Sequence, residues 1–207
     1  MELLNVIESR ASVRSFKNEL VDKDDLREMI RRSGMAPSVN NSQPWKFVAI
    51  SNRDILFEME SAVHRKIKET FPVEDDDRMV LQSVDKYSSF FANAPLVIAV
   101  LQKPYKAVVD TILDETKLTH EDINRLRNYP NIQSLGAAIE HLLLTAVDLG
   151  YAACWLSGLL IARDELEKIL EVEEPFSLAA CVAVGKPAEE PKQRQKKQLS
   201  EIFEIRE

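Results

Sequence analysis

The stretch IQSLGAAIEHLLLTAVDLG, residues 132–150, constrains the fold more than any other part of the sequence. Its apolar residues recur at helical spacing, and the small residues Gly136, Ala137 and Ala138 lie on a neighbouring face. Gly150 follows as a helix stop. An apolar helix with small residues along it usually packs closely against another helix. The pattern therefore predicts a long buried helix whose packing partner lies within the chain or across a dimer interface.

Four shorter apolar stretches predict β-strands before and after this helix. Helical patterns also occur in the first part of the chain. One ends near Arg10, a second follows a cap at Asp22, and a third begins at Asp54. Strands and helices mix without regular β-α alternation, which indicates an α+β fold with helices packed on one mainly antiparallel sheet. No linker composition divides the chain, so residues 1–207 are predicted to form a single domain. The predicted strands are WKFVAIS at 45–51, PLVIAVL at 95–101, YAACWL at 151–156 and SLAACVAVG at 177–185.

Two parts of the chain lack a clear pattern. Residues 102–130 carry charge, two prolines and only broken periodicity, so they form either a mobile lid or short helices. Residues 186–207 are polar and basic, but the end of this segment, LSEIFEI, regains apolar alternation. Such a tail is expected to dock on another surface, with a partner subunit as one candidate.

Charge and composition exclude several classes of function. The formal net charge is -7, so the dominant basic face that nucleic acid or an anionic membrane requires is missing. No apolar stretch is long enough for a membrane span or a signal peptide, and the expected location is the cytoplasm. Cys154 and Cys181 lie in apolar strand-like runs and are expected to be buried, inert thiols. The three histidines lack metal-ligand spacing, so no metal site is predicted.

The segment SRASVRSF, residues 9–16, is a candidate anion site. Arg10, Ser12 and Arg14 alternate with small or apolar residues directly after a predicted helix. Alternate side chains of an extended segment point the same way, so two guanidinium groups and a hydroxyl could converge on a phosphate. The competing interpretation is a salt-bridged turn at a helix end.

The sequence shows neither a nucleophile with its base nor paired catalytic carboxylates nor a glycine-rich phosphate loop. If the protein is an enzyme, its reactive group is therefore expected to come from a cofactor, and no catalytic residue is predicted. The segment APSVNNSQPWKF, residues 36–47, nevertheless carries more short polar side chains and prolines than a simple turn needs.

Four stretches occur in a fixed order along the chain. They are IESRASVRSF at 7–16, APSVNNSQPW at 36–45, GAAIEHLLLTAVDLGYAACWLSG at 136–158 and AVGKPAEEP at 183–191, followed by the basic tail. Together they resemble the nitroreductase family of FMN-dependent reductases. The resemblance implies an α+β homodimer in which FMN lies at each end of the interface and contacts both subunits. It also implies that residues 186–207 reach around the partner subunit.

The resemblance also implies roles for individual residues. Arg10 would hold the FMN phosphate with Ala11 and Ser12 nearby, and Arg14 would lie at the N1/O2 edge of the ring. The tail would supply another cation, either Lys196 or, in a shifted register, Arg194. Further cofactor-binding residues would be Pro37, Ser38, Val39 and Asn41 from the other subunit, together with Gln133, Leu156, Ser157 and Gly158. Trp155 would lie either in the core or beside the ring.

The implied activity is hydride transfer from NADH or NADPH, through flavin N5, to an electron-poor small molecule such as a nitroaromatic or a quinone. Residues 102–130 would shape the acceptor pocket. Two alternatives remain open. Wider relatives fragment flavin, remove halogens or reduce enones, and a flavin-binding dimer without turnover belongs to a different class.

Overall fold

A four-stranded antiparallel sheet forms the centre of the computed structural model, which describes residues 2–72 and 77–207. The strand order is β1-β2-β4-β3, and every neighbouring pair is antiparallel. The predicted α+β class with a mainly antiparallel sheet is confirmed. The strands are β1 (Trp45–Ile50), β2 (Leu96–Gln102), β3 (Ala152–Leu156) and β4 (Ser177–Gly185).

Helices surround the sheet, and three of them begin at side-chain caps: α2 (Lys23–Ser33), α3 (Arg53–Thr70) and α5 (His120–Leu126), the last capped by Thr119. The Asp22 carboxylate accepts hydrogen bonds from the backbone N–H groups of Asp24 and Asp25, which starts α2 as the sequence predicts. Asn52 caps α3 by accepting from the N–H of Asp54, so this helix begins one residue earlier than predicted. The α-helices are α1 (Leu3–Ser9), α2 (Lys23–Ser33), α3 (Arg53–Thr70), α4 (Arg78–Ser89), α5 (His120–Leu126), α6 (Pro130–Asp148), α7 (Arg163–Ile169) and α8 (Leu199–Ile202). Short 3-10 helices occupy Val39–Asn41, Phe90–Asn93, Val108–Glu115 and Gly158–Ala162.

Helices cover both faces of the sheet, which explains why β2 is a continuous apolar run. Alternate residues of β2, such as Val97 and Ala99, pack with α3 and α7 on one face. The residues between them, such as Ile98 and Val100, pack with α2 and α6 on the other. All four side chains are buried.

The long helix α6 is confirmed, and α2 is its packing partner within the chain. Its buried side includes Leu135, Ile139 and Leu142, whereas Gln133 and Glu140 on another face are exposed. The hydrophobic core of the chain therefore does not cover this second face of α6.

The two poorly patterned segments also have definite structure. Residues 102–130 contain the 3-10 helix Val108–Glu115 and α5, so short helices are present in this segment. In the tail, the N–H of Lys17 donates to the carbonyl of Lys186, after which the chain continues without a strand to α8. The large apolar side chains near the end of the tail are exposed. They are Leu199, Ile202, Phe203 and Ile205.

Both cysteines are unpaired and buried, in agreement with the sequence analysis. Burial raises the pKa of the Cys181 thiol to about 12, so this thiol remains protonated at neutral pH. No helix within residues 2–72 and 77–207 has the length and apolar character needed to cross a bilayer. The same described residues contain no cluster of three His, Cys, Asp or Glu side chains that could hold a metal ion.

Candidate functional site

Residues 10–14 lie along the edge of the sheet directly after α1. Ser12 forms a parallel bridge with Ala153 of β3, and the N–H of Val13 donates to the Ala153 carbonyl at 3.1 Å. The segment is thus held in an extended conformation, so that Arg10, Ser12 and Arg14 can share one side.

A small cationic cavity of about 110 Å³ forms where this segment meets the tail. The tail is held there by Gln193, whose Nε2 donates to the carbonyl oxygen of Arg10 at 2.9 Å. Five of the lining side chains are cationic and none is acidic, which suits an anion with several acceptor oxygens. The lining residues are Arg10, Ala11, Ser12, Arg14, Lys192, Gln193, Arg194 and Lys196. We refer to this space as the anion cavity.

The competing interpretation, a salt-bridged turn, has limited support. Arg10 Nε lies 3.9 Å from Glu140 Oε1, at the edge of ion-pair distance, and about half of the Glu140 side chain is exposed. Arg14 donates to the Ser12 carbonyl at 3.4 Å, which uses one of its five N–H groups. Most of the guanidinium donors in the cavity therefore remain available to a ligand.

A second cavity, of about 370 Å³, adjoins the anion cavity through Arg14, which lines both. The Arg14 guanidinium lies over the rings of Tyr87, at 5.7 Å, and Phe90, at 6.0 Å. Trp155 is 45% exposed and lines this cavity, which excludes the core position considered for it in the sequence. Three predicted site residues at the end of β3 line the same space: Leu156, Ser157 and Gly158. We refer to it as the ring cavity.

Burial in the ring cavity also affects Cys154. Burial raises the pKa of the Cys154 thiol, an effect that the charges of Arg14 and Arg10 oppose. The thiol lines the cavity as a neutral apolar group, consistent with the inert role predicted for it.

The loop at residues 37–43 has a strained backbone that hydrogen bonds hold in place. Asn40, Asn41 and Gln43 all have positive φ, at 47°, 52° and 43°, a conformation that asparagine tolerates better than most residues. Ser38 Oγ accepts from the N–H of Gln43 at 3.0 Å, and the N–H of Val39 donates to Ser134 Oγ at 3.0 Å. Strain of this kind is typical of functional sites, where the surrounding contacts maintain it.

The predicted site residues thus separate into two groups within one chain. The first group, Arg10–Arg14, Leu156–Gly158 and the tail cations, surrounds the anion and ring cavities. The second group is the loop Pro37–Asn41, held against the start of α6 close to Gln133. Asn40 of this loop lines a different cavity, with residues from the 105–127 segment.

Gln133 lies in the first turn of α6, and its Nε2 donates to the Asn128 carbonyl at 2.7 Å. It lies seven residues before Glu140, which approaches Arg10, so the two side chains occupy the same exposed face of the helix. Gly136 lies between them, where a Cβ would be 3.8 Å from the Trp155 ring. This face of α6 therefore runs alongside both cavities.

A sequence model of the nitroreductase family matches residues 7–186. The chain belongs to the nitroreductase family. The match covers the anion cavity segment, the loop, α6 and the end of β3.

Solved structures and curated relatives agree with this assignment. A BluB-like flavoprotein from Clostridium difficile superposes with a TM-score of 0.89 at 35% identity, and the match covers 100% of both chains. A nitroreductase with bound FMN from Bacteroides fragilis has a TM-score of 0.74 at 23% identity, again over 100% of both chains, and so shares the fold. An iodotyrosine deiodinase from Haliscomenobacter hydrossis is 29% identical over 195 residues, covering 91% of this chain and 80% of that protein.

Several cavity residues were not predicted from the sequence. Lys192 and Gln193 belong to a basic tail whose register on Arg10 is set only by folding. Tyr87 and Phe90 carried a helical apolar pattern and gave no indication that they face Arg14. For the tail, the family resemblance implied Lys196 or, in a shifted register, Arg194, and the basic composition was the one available signal for the neighbouring residues.

Gly158 packs closely against Ser88 of α4 at the ring cavity. A Cβ at this position would lie 2.7 Å from Ser88 Oγ and 3.4 Å from Ser88 Cβ, so α4 approaches the start of the 3-10 helix closely only because a side chain is absent.

We expect Gly158→Ala to destabilise the protein by about 1–3 kcal/mol, because the added methyl displaces Ser88 or α4. The second substitution Ser88→Ala removes the closest atom and should restore more than half of that loss. The free energy of unfolding from urea titration, at one protein concentration, measures both effects. Gly34→Ala is the control, since its Cβ would meet only backbone oxygens at 3.5 Å or more. Equal losses in the single and double variants would contradict this packing argument.

Proposed function

We propose that this protein is an FMN-dependent NAD(P)H oxidoreductase that works as a homodimer and reduces an electron-poor small molecule. The observation that carries the proposal is the junction of two cavities at Arg14, one lined by five cations and the other by aromatic side chains. A dianionic phosphate joined to a flat apolar ring system matches both cavities in order. Membership of the nitroreductase family and the 35% identity to a flavoprotein support the same choice.

The residues present fit FMN at both ends. The phosphate would be held by Arg10 together with Arg194 and Lys196 from the tail. Their guanidinium and ammonium groups surround a cavity that has no carboxylate in its lining. Arg14 would stabilise negative charge at the adjacent edge of the ring. Leu156, Ser157 and Gly158 would support the ring from the end of β3, where backbone groups are close to the cavity.

FMN, when bound, supplies hydride transfer between a nicotinamide and an acceptor. The protein's own work is to bind the phosphate, orient the ring and leave room for two small molecules in turn. A Ser-His or paired-carboxylate arrangement is not required for this activity, in agreement with the residues that line the two cavities.

Three features support a homodimer with a shared site. The strained loop Pro37–Asn41 does not line the cavities formed by its own chain's Arg10–Arg14 segment. The exposed face of α6 runs beside those cavities, and the apolar end of the tail is uncovered. A second copy would cover both surfaces and bring its loop to the ring. We also propose a cytoplasmic location, supported by two buried, unpaired thiols.

The purified protein is expected to carry a visible flavin absorbance that NADH or NADPH bleaches under anaerobic conditions. Stopped-flow mixing of the bleached protein with oxygen then distinguishes the chemistries. Clean return of the oxidised spectrum supports a reductase, whereas loss of total flavin absorbance indicates flavin fragmentation. A protein that neither retains nor accepts FMN would overturn the proposal, and a bound flavin that neither nicotinamide bleaches would leave only a binding role.

Arg10→Ala is expected to weaken FMN binding about thirtyfold or more, because a phosphate dianion loses a forked cation. Riboflavin, which has no phosphate, should lose less than about threefold under the same conditions. Fluorescence titration of the apoprotein measures both dissociation constants. Arg27→Ala, which removes an exposed cation paired with Asp24, is the control and should change neither. Equal losses for FMN and riboflavin would show that Arg10 does not hold the phosphate.

The shared site can be tested by mixing two defective chains. Arg10→Ala removes the phosphate cation from one side of each site, and Asn41→Ala removes the loop donor from the other. If the two residues serve one site from different subunits, each mixed dimer has one intact site, formed by Arg10 of one chain and Asn41 of the other. Its second site carries both substitutions. After unfolding, equal mixing and refolding, about a quarter of wild-type flavin sites should return. Recovery no greater than the average of the separately refolded variants would show that both residues belong to one chain's site.

A further inference from the structure

A third cavity, of about 480 Å³, lies between the loop and the 105–127 segment, and neither the anion cavity nor the ring cavity includes its residues. Its walls are mainly apolar, and two of its side chains, Val108 and Leu126, are more than 70% exposed at its rim. A pocket of this size suits a small molecule. The lining residues are Asn40, Tyr105, Val108, Val109, Ile123, Leu126 and Arg127. We refer to it as the lid pocket.

Arg127 is the charged residue in the lining of the lid pocket. It follows the last residue of α5, and its guanidinium lies over the Tyr105 ring with 5.4 Å between Cζ and the ring centroid. Among the side chains that the structure describes, those of residues 2–72, 77–113 and 116–207, none forms a hydrogen bond or an ion pair with this guanidinium. The acidic groups nearby on the same helix have other partners, since Asp122 binds Arg125 and Glu121 binds Tyr129.

The lid pocket is joined directly to the loop of the proposed flavin site. Asn40 Nδ2 donates to the Tyr105 hydroxyl at 2.6 Å, and Tyr105 is buried. The same loop carries Ser38 and Asn41, which the proposed function assigns to the partner's FMN. A molecule in the lid pocket would therefore lie beside the residues that approach that ring.

We propose that the lid pocket binds the acceptor, and that the acceptor is a flat, mainly apolar molecule carrying one carboxylate. The apolar walls and the Tyr105 ring would hold the flat body, and the Arg127 guanidinium would take the carboxylate through two parallel hydrogen bonds. Arg127 is exposed to solvent, stacks on the Tyr105 ring and is the one charged residue in the lining, so a single carboxylate matches it better than a neutral or multiply charged molecule does. The assignment of this ligand as the acceptor rests on the proposed function, whereas its binding does not.

Binding is tested with benzoate, which cannot be reduced, by calorimetric titration of the protein as purified. Wild type is expected to bind benzoate, and Arg127→Gln should bind it about tenfold more weakly or worse. Arg125→Gln is the control, because that side chain pairs with Asp122 and is not among the lining residues of the pocket. Absence of benzoate binding by wild type, or equal affinity in wild type and Arg127→Gln, would overturn the proposal.

Turnover is tested with 4-nitrobenzoate and its neutral analogue 4-nitrobenzyl alcohol. In Arg127→Gln the KM for 4-nitrobenzoate should rise about tenfold with kcat nearly unchanged, while the KM for the alcohol stays constant. Equal changes for both compounds would overturn the acceptor assignment. If wild type reduces neither compound with NADH or NADPH, but benzoate binding still depends on Arg127, the reductase proposal fails and the carboxylate site stands.

Discussion

The backbone contact between Ser12 and Ala153 is the constraint on which the candidate site depends. It places an arginine-bearing segment along the strand that ends at Leu156. The cationic segment therefore lies beside the turn where the ring cavity opens, and Arg14 reaches both spaces. Without this pairing the two arginines would extend from a helix end into solvent, where guanidinium groups bind anions weakly.

The gathering of five cations around a small cavity is costly in the absence of a counter-ion. Like charges within one cavity repel each other, and the tail lies there with limited packing of its own. An anion with several oxygens removes that repulsion and satisfies the donors at once. The repulsion among these cations and their free donors both support the phosphate-bearing ligand that we propose for this cavity.

Sequence patterns within a few residues were enough to predict most of the strands and helices correctly. The apolar run at Leu96–Gln102 indicates a strand buried on both faces, and Asp22 indicates a helix start, because each effect acts within a few residues. Contacts between distant segments were not predictable in this way. The positions of Arg14 over Tyr87 and of Arg127 over Tyr105 depend on how segments far apart in the sequence pack together. Family resemblance implied the residues that we propose for FMN binding, but it was thinnest in the segment that carries Arg127.

The C-terminal tail has two ends with different chemistry. Its basic part, at Lys192–Lys196, lines the anion cavity of its own chain, while its apolar part, from Leu199 to Ile205, faces outward. In the proposed dimer, one peptide would then act at once as a clamp on the cofactor and as a strap on the neighbouring subunit. Because both roles order the same residues, loading of the flavin and assembly of the dimer become thermodynamically linked, each strengthening the other by an equal factor.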